Sequence, residues 1–206
     1  MRIDGKVDGD GSLKNSQPSG GARKVRDLER QLAGTIRVEM WALRRRLRSD
    51  PTAHPLVWCI QDRLACSQRP LRDHPAFLDQ KPLPPEAGPH VIAGVKRVRE
   101  TGIRSVICLM HRKELRYYDG LVGMEDGLFS LYRQAGLQIR HLEWADPAHG
   151  TSEEREALKA QVMVIKAKAL DAFGRLPRAV LVHCSAAIDR STPVVAHIAA
   201  NAGPEQ

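Results

Sequence analysis

The stretch Ala179–Ala199, AVLVHCSAAIDRSTPVVAHIA, carries the strongest fold signal in the chain. It opens as a short apolar strand, tightens into small residues between Cys184 and Arg190, and continues with helical spacing. A strand feeding a loop at a helix N-terminus is a ready-made anion cradle. The first amides of the helix have no intrahelical acceptor, and the helix dipole adds partial positive charge. Backbone N–H groups from Ser185, Ala186, Ala187, Ile188 and Asp189 are the expected donors. The same field favours a thiolate, which makes Cys184 the candidate nucleophile. Arg190, six residues on, supplies a planar fork that can grip two oxygens of one anion. His183 and Ser191 are expected to support it, orienting the loop and hydrogen-bonding the sulfur. Cys66 also has an arginine six positions later, Arg72, but bulky residues and Pro70 intervene and no helical pattern follows. That pair reads as coincidence.

Outward from this stretch, helix and strand patterns alternate. His90–Thr101 carries Val91, Ile92, Val95 and Val98 on one helical face and stops at Gly102. IRSVICLM follows as a continuously apolar strand, as in a parallel sheet covered on both faces. Residues 111–127 show no clear period. Gly127–Ala135 is helical, LQIRHLEW alternates like a half-exposed strand, and Thr151 with Glu154 forms a capping box that opens one helix to about Phe173. LVWCI after Pro55 suits a strand, and the proline-studded run after it a loop. The predicted fold is α/β: three layers, with a mainly parallel central sheet of about four to five strands and helices on both faces.

HCSAAIDRS resembles the signature of the cysteine-dependent protein phosphatases, the tyrosine and dual-specificity group: His, Cys, five residues, Arg, then Ser or Thr. LVWCIQDRLACSQRP is similar to the opening strand and substrate-side turn of the dual-specificity type, and GIRSVICLM and WADPAHG fall where that family has a central strand and a general-acid loop. The resemblance spans roughly Pro51 to Ala202. It implies hydrolysis of phosphate monoesters through a cysteinyl-phosphate intermediate, with a phosphorylated protein or other phosphomonoester as substrate and with neither metal nor cofactor. The departing oxygen then needs a proton donor. Asp146, 38 residues before Cys184, is the first choice, a separation that resembles the family's. Asp189, inside the loop, is the rival; an acid there resembles the myotubularin-like lipid phosphatases. His149 reads as an exposed loop histidine. Ala187 stands where the family has glycine, and its Cβ is expected to crowd the phosphate or oppose the backbone angles of the cradle. Three alternatives remain open: a phospho-binding pseudophosphatase, a phosphoinositide phosphatase, and a sulfur-transfer or arsenate-reducing enzyme.

The 206 residues carry a net charge of +8, which favours acidic partners. Residues 1–22 are rich in Gly, Ser, Asp and Lys with few large apolar side chains and are expected to be disordered. Residues 23–50 form a basic amphipathic helix, with Val25, Leu28, Leu32, Ile36, Met40, Leu43 and Leu47 in one stripe and Asp50-Pro51 as its stop. The first fifty residues hold twelve Lys and Arg against seven Asp and Glu, so much of the net charge sits there. Helix 23–48 is expected to dock on the catalytic domain or on a second copy, with Arg44, Arg45, Arg46 and Arg48 solvated opposite. Only Trp41 could stack on a base, which argues against nucleic acid. Residues 51–206 form the catalytic domain, with only sixteen residues after Arg190. The N-terminal helix is then expected to replace a missing cover, unless the chain is a fragment. Four dispersed cysteines, no signal-peptide pattern and no apolar run of membrane-spanning length predict a cytoplasmic protein.

Overall fold

A computed structural model describes residues 20–78, 80–146 and 151–203. Its centre is a five-stranded sheet of order β1-β2-β5-β3-β4. The strands are β1 (Val57–Ile60), β2 (Leu64–Ser67), β3 (Ser105–Cys108), β4 (Gln138–His141) and β5 (Val180–His183). β1 runs antiparallel to β2, and all other pairings are parallel. The run LVWCIQDRLACS is thus a tight hairpin of two strands rather than one opening strand. Asp62 turns it with a left-handed φ of 56°, a conformation that Asp tolerates better than most residues.

Side-chain alternation sorts β5 between two layers. Val180 and Val182 face α1 (Gly20–Ser49), α6 (Val162–Arg175) and α7 (Ser191–Asn201). Leu181 faces α2 (Gly88–Glu100) and α4 (Gly127–Gln134). β5 is therefore buried on both sides, which is why its sequence reads as continuously apolar. The remaining helices are the single turn α3 (Arg112–Leu115) and α5 (Ser152–Ala160). The capping box forms as expected: Glu154 N–H donates to Thr151 Oγ1 at 3.2 Å and Thr151 N–H to Glu154 Oε2 at 2.7 Å. The helix it opens does not run unbroken to Phe173, because Gln161 separates α5 from α6.

α1 supplies cover for α7. Ile36, Met40, Leu43 and Leu47 are buried, Leu32 is partly buried, and Leu28 is largely exposed, so only the later part of the predicted stripe docks. Glu29 fixes that packing by accepting from Lys166 of α6 and bonding His197 of α7 at 3.0 Å. The helix begins at Gly20, so residues 20–22 are helical rather than part of a disordered tail; residues 1–19 lie outside the described residues. Arg45, Arg46 and Arg48 are exposed as expected, but Arg44 is not. Its Nε donates to the fully buried carboxylate of Asp73 at 2.6 Å, Arg48 Nε donates to the same carboxylate at 2.7 Å, and Trp41 stacks over the Arg44 guanidinium. Burial opposes the charge on Asp73, but the two arginines outweigh it and hold its carboxyl below the ordinary range. No helix among the described residues is long and apolar enough to cross a membrane.

Removing one partner of such a buried pair strands the other charge, which costs about 3–5 kcal/mol. Asp73→Asn is expected to lose stability on that scale in urea unfolding, whereas the double variant Arg44→Met/Asp73→Leu loses clearly less. Equal losses would mean that this ion pair does not carry the docking of α1.

Candidate active site

The parallel strands β2, β3, β4 and β5 end at one edge of the sheet, and the residues that follow them meet there. In open α/β sheets this carboxyl edge is where ligands bind. The loop after β5 closes on itself: Ala187 N–H donates to Cys184 Sγ at 3.2 Å, and Thr192 Oγ1 donates to Ala187 O at 2.7 Å. Ala187 takes a left-handed φ of 60°, which costs an alanine roughly 1–2 kcal/mol. The two hydrogen bonds hold it there. Ala187 is fully buried in the apolar layer with α1, α6 and α7, while the cleft beside the loop is walled by Ser185 and Ala186. The left-handed φ is the backbone opposition expected of a Cβ at this position, and the methyl is buried in the same cluster as Cys184 and Ile188.

Arg190 is almost completely buried and joins four segments. Its Nη1 donates to Glu114 Oε2 at 2.6 Å, to Trp144 O at 2.8 Å and to Leu109 O at 3.3 Å. Its Nη2 donates to Glu114 Oε1 at 2.6 Å and to Asp146 Oδ2 at 3.4 Å. Burial works against the guanidinium charge, but Glu114, the Cys184 sulfur and Asp146 outweigh it and raise its pKa above the ordinary value. Cys184 and Arg190 thus lie within electrostatic reach of each other. Glu114 is the mirror case: burial favours its neutral form, yet Arg190 first, then the His111 backbone and the Ser185 hydroxyl, keep it below the usual carboxylate range. Glu114 was not singled out by the sequence. It lies in the segment without clear period, as the third residue of a capping box whose N-cap is His111 rather than the usual Ser or Thr.

A cleft of about 590 Å³ opens beside these groups. Glu114, Asp146, Glu154, His111 and Ser185 line it, with Arg72, Lys81 and Lys113 contributing positive charge and Ala157 and Leu158 of α5 an apolar side. Arg72 therefore belongs to the site, although its spacing from Cys66 is the coincidence it looked to be: Cys66 is fully buried in β2. Asp146 faces this cleft; Asp189 is exposed and does not line it. Ile188 is buried. His149 lies outside the described residues. Ser191 does not bond the sulfur as expected: its buried hydroxyl has no partner among the described residues, and Thr192 ties the loop instead. Cys184 is itself 2 % exposed, and neither it nor Arg190 lines the cleft. Burial pushes the thiols of Cys59 and Cys108 up to about 12 and that of Cys66 well above its ordinary value, so these three remain protonated. No cluster of three or more His, Cys, Asp or Glu side chains that could hold a metal occurs among the described residues.

His183 supports the loop from within. Burial lowers its pKa to about 4, so the ring is neutral near pH 7. Its Nδ1 faces Cys184 O at 3.4 Å and therefore carries the hydrogen; Nε2 then accepts from the Tyr132 hydroxyl at 3.2 Å. No family model matches this chain, and no curated protein matches it significantly.

The neutral His183 makes a pH prediction. An unfolded histidine titrates near ~6.5, so below that value the unfolded chain binds a proton that the folded chain refuses. Stability is full above about pH 6.5 and falls by roughly 3 kcal/mol as pH drops toward about 4. Urea unfolding of the parent minus that of His183→Gln isolates this slope. A difference that does not change with pH across that window would show that the imidazole is not held neutral.

Proposed function

We propose that this chain is a cysteine-dependent phosphomonoesterase of the tyrosine and dual-specificity type, acting on phosphorylated proteins. The observation that supports the reading is the buried Arg190 guanidinium, held by Glu114, bonded to Asp146 and within electrostatic reach of Cys184; Glu114, Asp146 and Ser185 line the neighbouring cleft, while Arg190 and Cys184 lie behind its lining. In the first step Cys184 Sγ attacks phosphorus in line. An S–P bond forms as the ester P–O bond breaks, and Asp146 gives its proton to the departing oxygen. In the second step the Asp146 carboxylate takes a proton from water, which attacks the cysteinyl phosphate and releases inorganic phosphate and the thiolate. Arg190 neutralises the charge spread over the equatorial oxygens, and the loop amides add fixed donors. For Arg190 to do so, a phosphoryl oxygen takes the place of Asp146 at Nη2 while Glu114 keeps the guanidinium plane fixed. The basic groups Arg72, Lys81 and Lys113 lining the cleft suit an anionic substrate.

A second reading, a binding module that holds phosphate without turnover, is favoured by one observation: Cys184 is nearly inaccessible and does not line the cleft. One assay separates the two. p-Nitrophenyl phosphate with EDTA present is expected to be hydrolysed by the parent. Cys184→Ser abolishes hydrolysis, Asp146→Asn lowers kcat by about 10²–10⁴-fold, and Asp189→Asn leaves it near the parental value. A parent that binds a phosphotyrosine peptide without hydrolysing it supports the binding module. Loss in Asp189→Asn but not Asp146→Asn transfers the acid role.

A further inference from the structure

One flank of α1 carries a row of arginines. Arg23, Arg26, Arg30, Arg37, Trp41, Arg45 and Arg48 follow one another at helical steps, and all are exposed. At 3.6 residues per turn they fall within a band roughly 100° wide and about 37 Å long. The band lies to one side of the buried stripe of Ile36, Met40, Leu43 and Leu47. Gly34 occupies the turn between Arg30 and Arg37, and nothing stands within 4 Å of where a Cβ would be. Among the described residues two carboxylates pair with this row: Asp27, 3.4 Å from Arg30, and Asp73, which takes Arg48 and the buried Arg44. Seven arginines against these two carboxylates leave an excess of five positive charges on one flank, in a chain whose total is +8. Trp41 is 44 % exposed although its ring stacks over Arg44, and Val38, at the edge of the row, is 66 % exposed.

We propose that this flank of α1 binds an anionic phospholipid surface. A flat layer of headgroups meets every guanidinium of a straight row at once. A phosphate strand of a nucleic-acid duplex turns fully about its axis in roughly 34–36 Å, so a straight row of this length parts from it within a fraction of a turn. Every cation in the row is arginine, whose planar fork matches the paired oxygens of a phosphate better than a lysine does. Val38 and Trp41 add what a purely ionic contact would not need. They enter the boundary between headgroups and acyl chains, where tryptophan is favoured. The apolar stripe stays docked on α7, so binding asks for no rearrangement of the fold. The inference does not rest on the proposed catalytic activity.

Co-sedimentation of the full chain with lipid vesicles tests this. The parent is expected to sediment with phosphatidylcholine vesicles holding about 30 % phosphatidylserine and not with phosphatidylcholine alone, and to be released as NaCl rises from about 0.1 to about 0.5 M. The variant Arg23→Gln/Arg26→Gln/Arg30→Gln/Arg37→Gln spares the docked face. It is expected to partition at least about 100-fold more weakly, since each basic side chain near the surface contributes about fivefold. The variant Lys96→Gln/Arg133→Gln/Arg140→Gln/Lys168→Gln loses the same charge from exposed positions on other elements and is expected to stay within about fivefold of the parent. Bromine on the acyl chains is expected to quench part of the tryptophan fluorescence of the bound parent. The proposal is overturned if the parent ignores the anionic vesicles or binds neutral ones equally, if the two variants lose affinity alike, or if bound tryptophan stays unquenched. A DNA duplex that strips the parent from the vesicles at equal phosphate concentration would also overturn it.

Discussion

Everything at the carboxyl edge of the sheet depends on keeping one guanidinium charged in the protein interior. Arg190 cannot be buried unless its charge is met, and Glu114 meets it in a bidentate pair at 2.6 Å on each side. That requirement draws α3 against the loop after β5. The Leu109 and Trp144 carbonyls fill further donor positions and fix the chain as it leaves β3 and β4. Cys184 and Asp146 are placed as a consequence, since both sit on segments that Arg190 ties down. A single ion pair with its hydrogen bonds thus converts a sheet edge into a site with a defined geometry.

The same logic recurs where α1 docks. Arg44 is buried against Asp73, and Glu29 joins α1 to both α6 and α7. These contacts hold α1 over α7, the helix whose N-terminus supports the Cys184 loop. The basic N-terminal helix is therefore structurally continuous with the site: its charges dock it as well as solvate it. In the proposed mechanism this matters because the cradle must be rigid before the anion arrives. A loop that had to reorganise on binding would lose much of the electrostatic advantage of its fixed donors.

The parts of this architecture legible in the sequence are those written in local patterns. β5, the tight loop and α7 show as an apolar run, small residues and a helical period. Cys184, Arg190 and Asp146 could be named because the chemistry of an anion loop asks for those residue types. Glu114 could not, because an acidic residue in a segment without periodicity looks like any solvated carboxylate, and only the fold brings it to Arg190, 76 residues away. A capping box with histidine as its N-cap was the one available signal, and it is weak. Arg44 was misplaced for a related reason: helical periodicity assigns arginines to the solvent face, and the opposing Asp73 lies in an irregular loop. Arg72 and the second strand of the hairpin were obscured by proline and by the shortness of the turn between strands. The break at Gln161 leaves no glycine or proline to mark it.

The most direct test of the proposed chemistry asks where the phosphoryl group goes. Acid-quenching the protein during turnover of p-nitrophenyl phosphate, followed by peptide mass analysis, is expected to find one phosphoryl group on the sulfur of Cys184, and none in Cys184→Ser. A phosphoryl group on any other side chain, or rapid turnover with no labelled protein at any quench time, would contradict a cysteinyl-phosphate route.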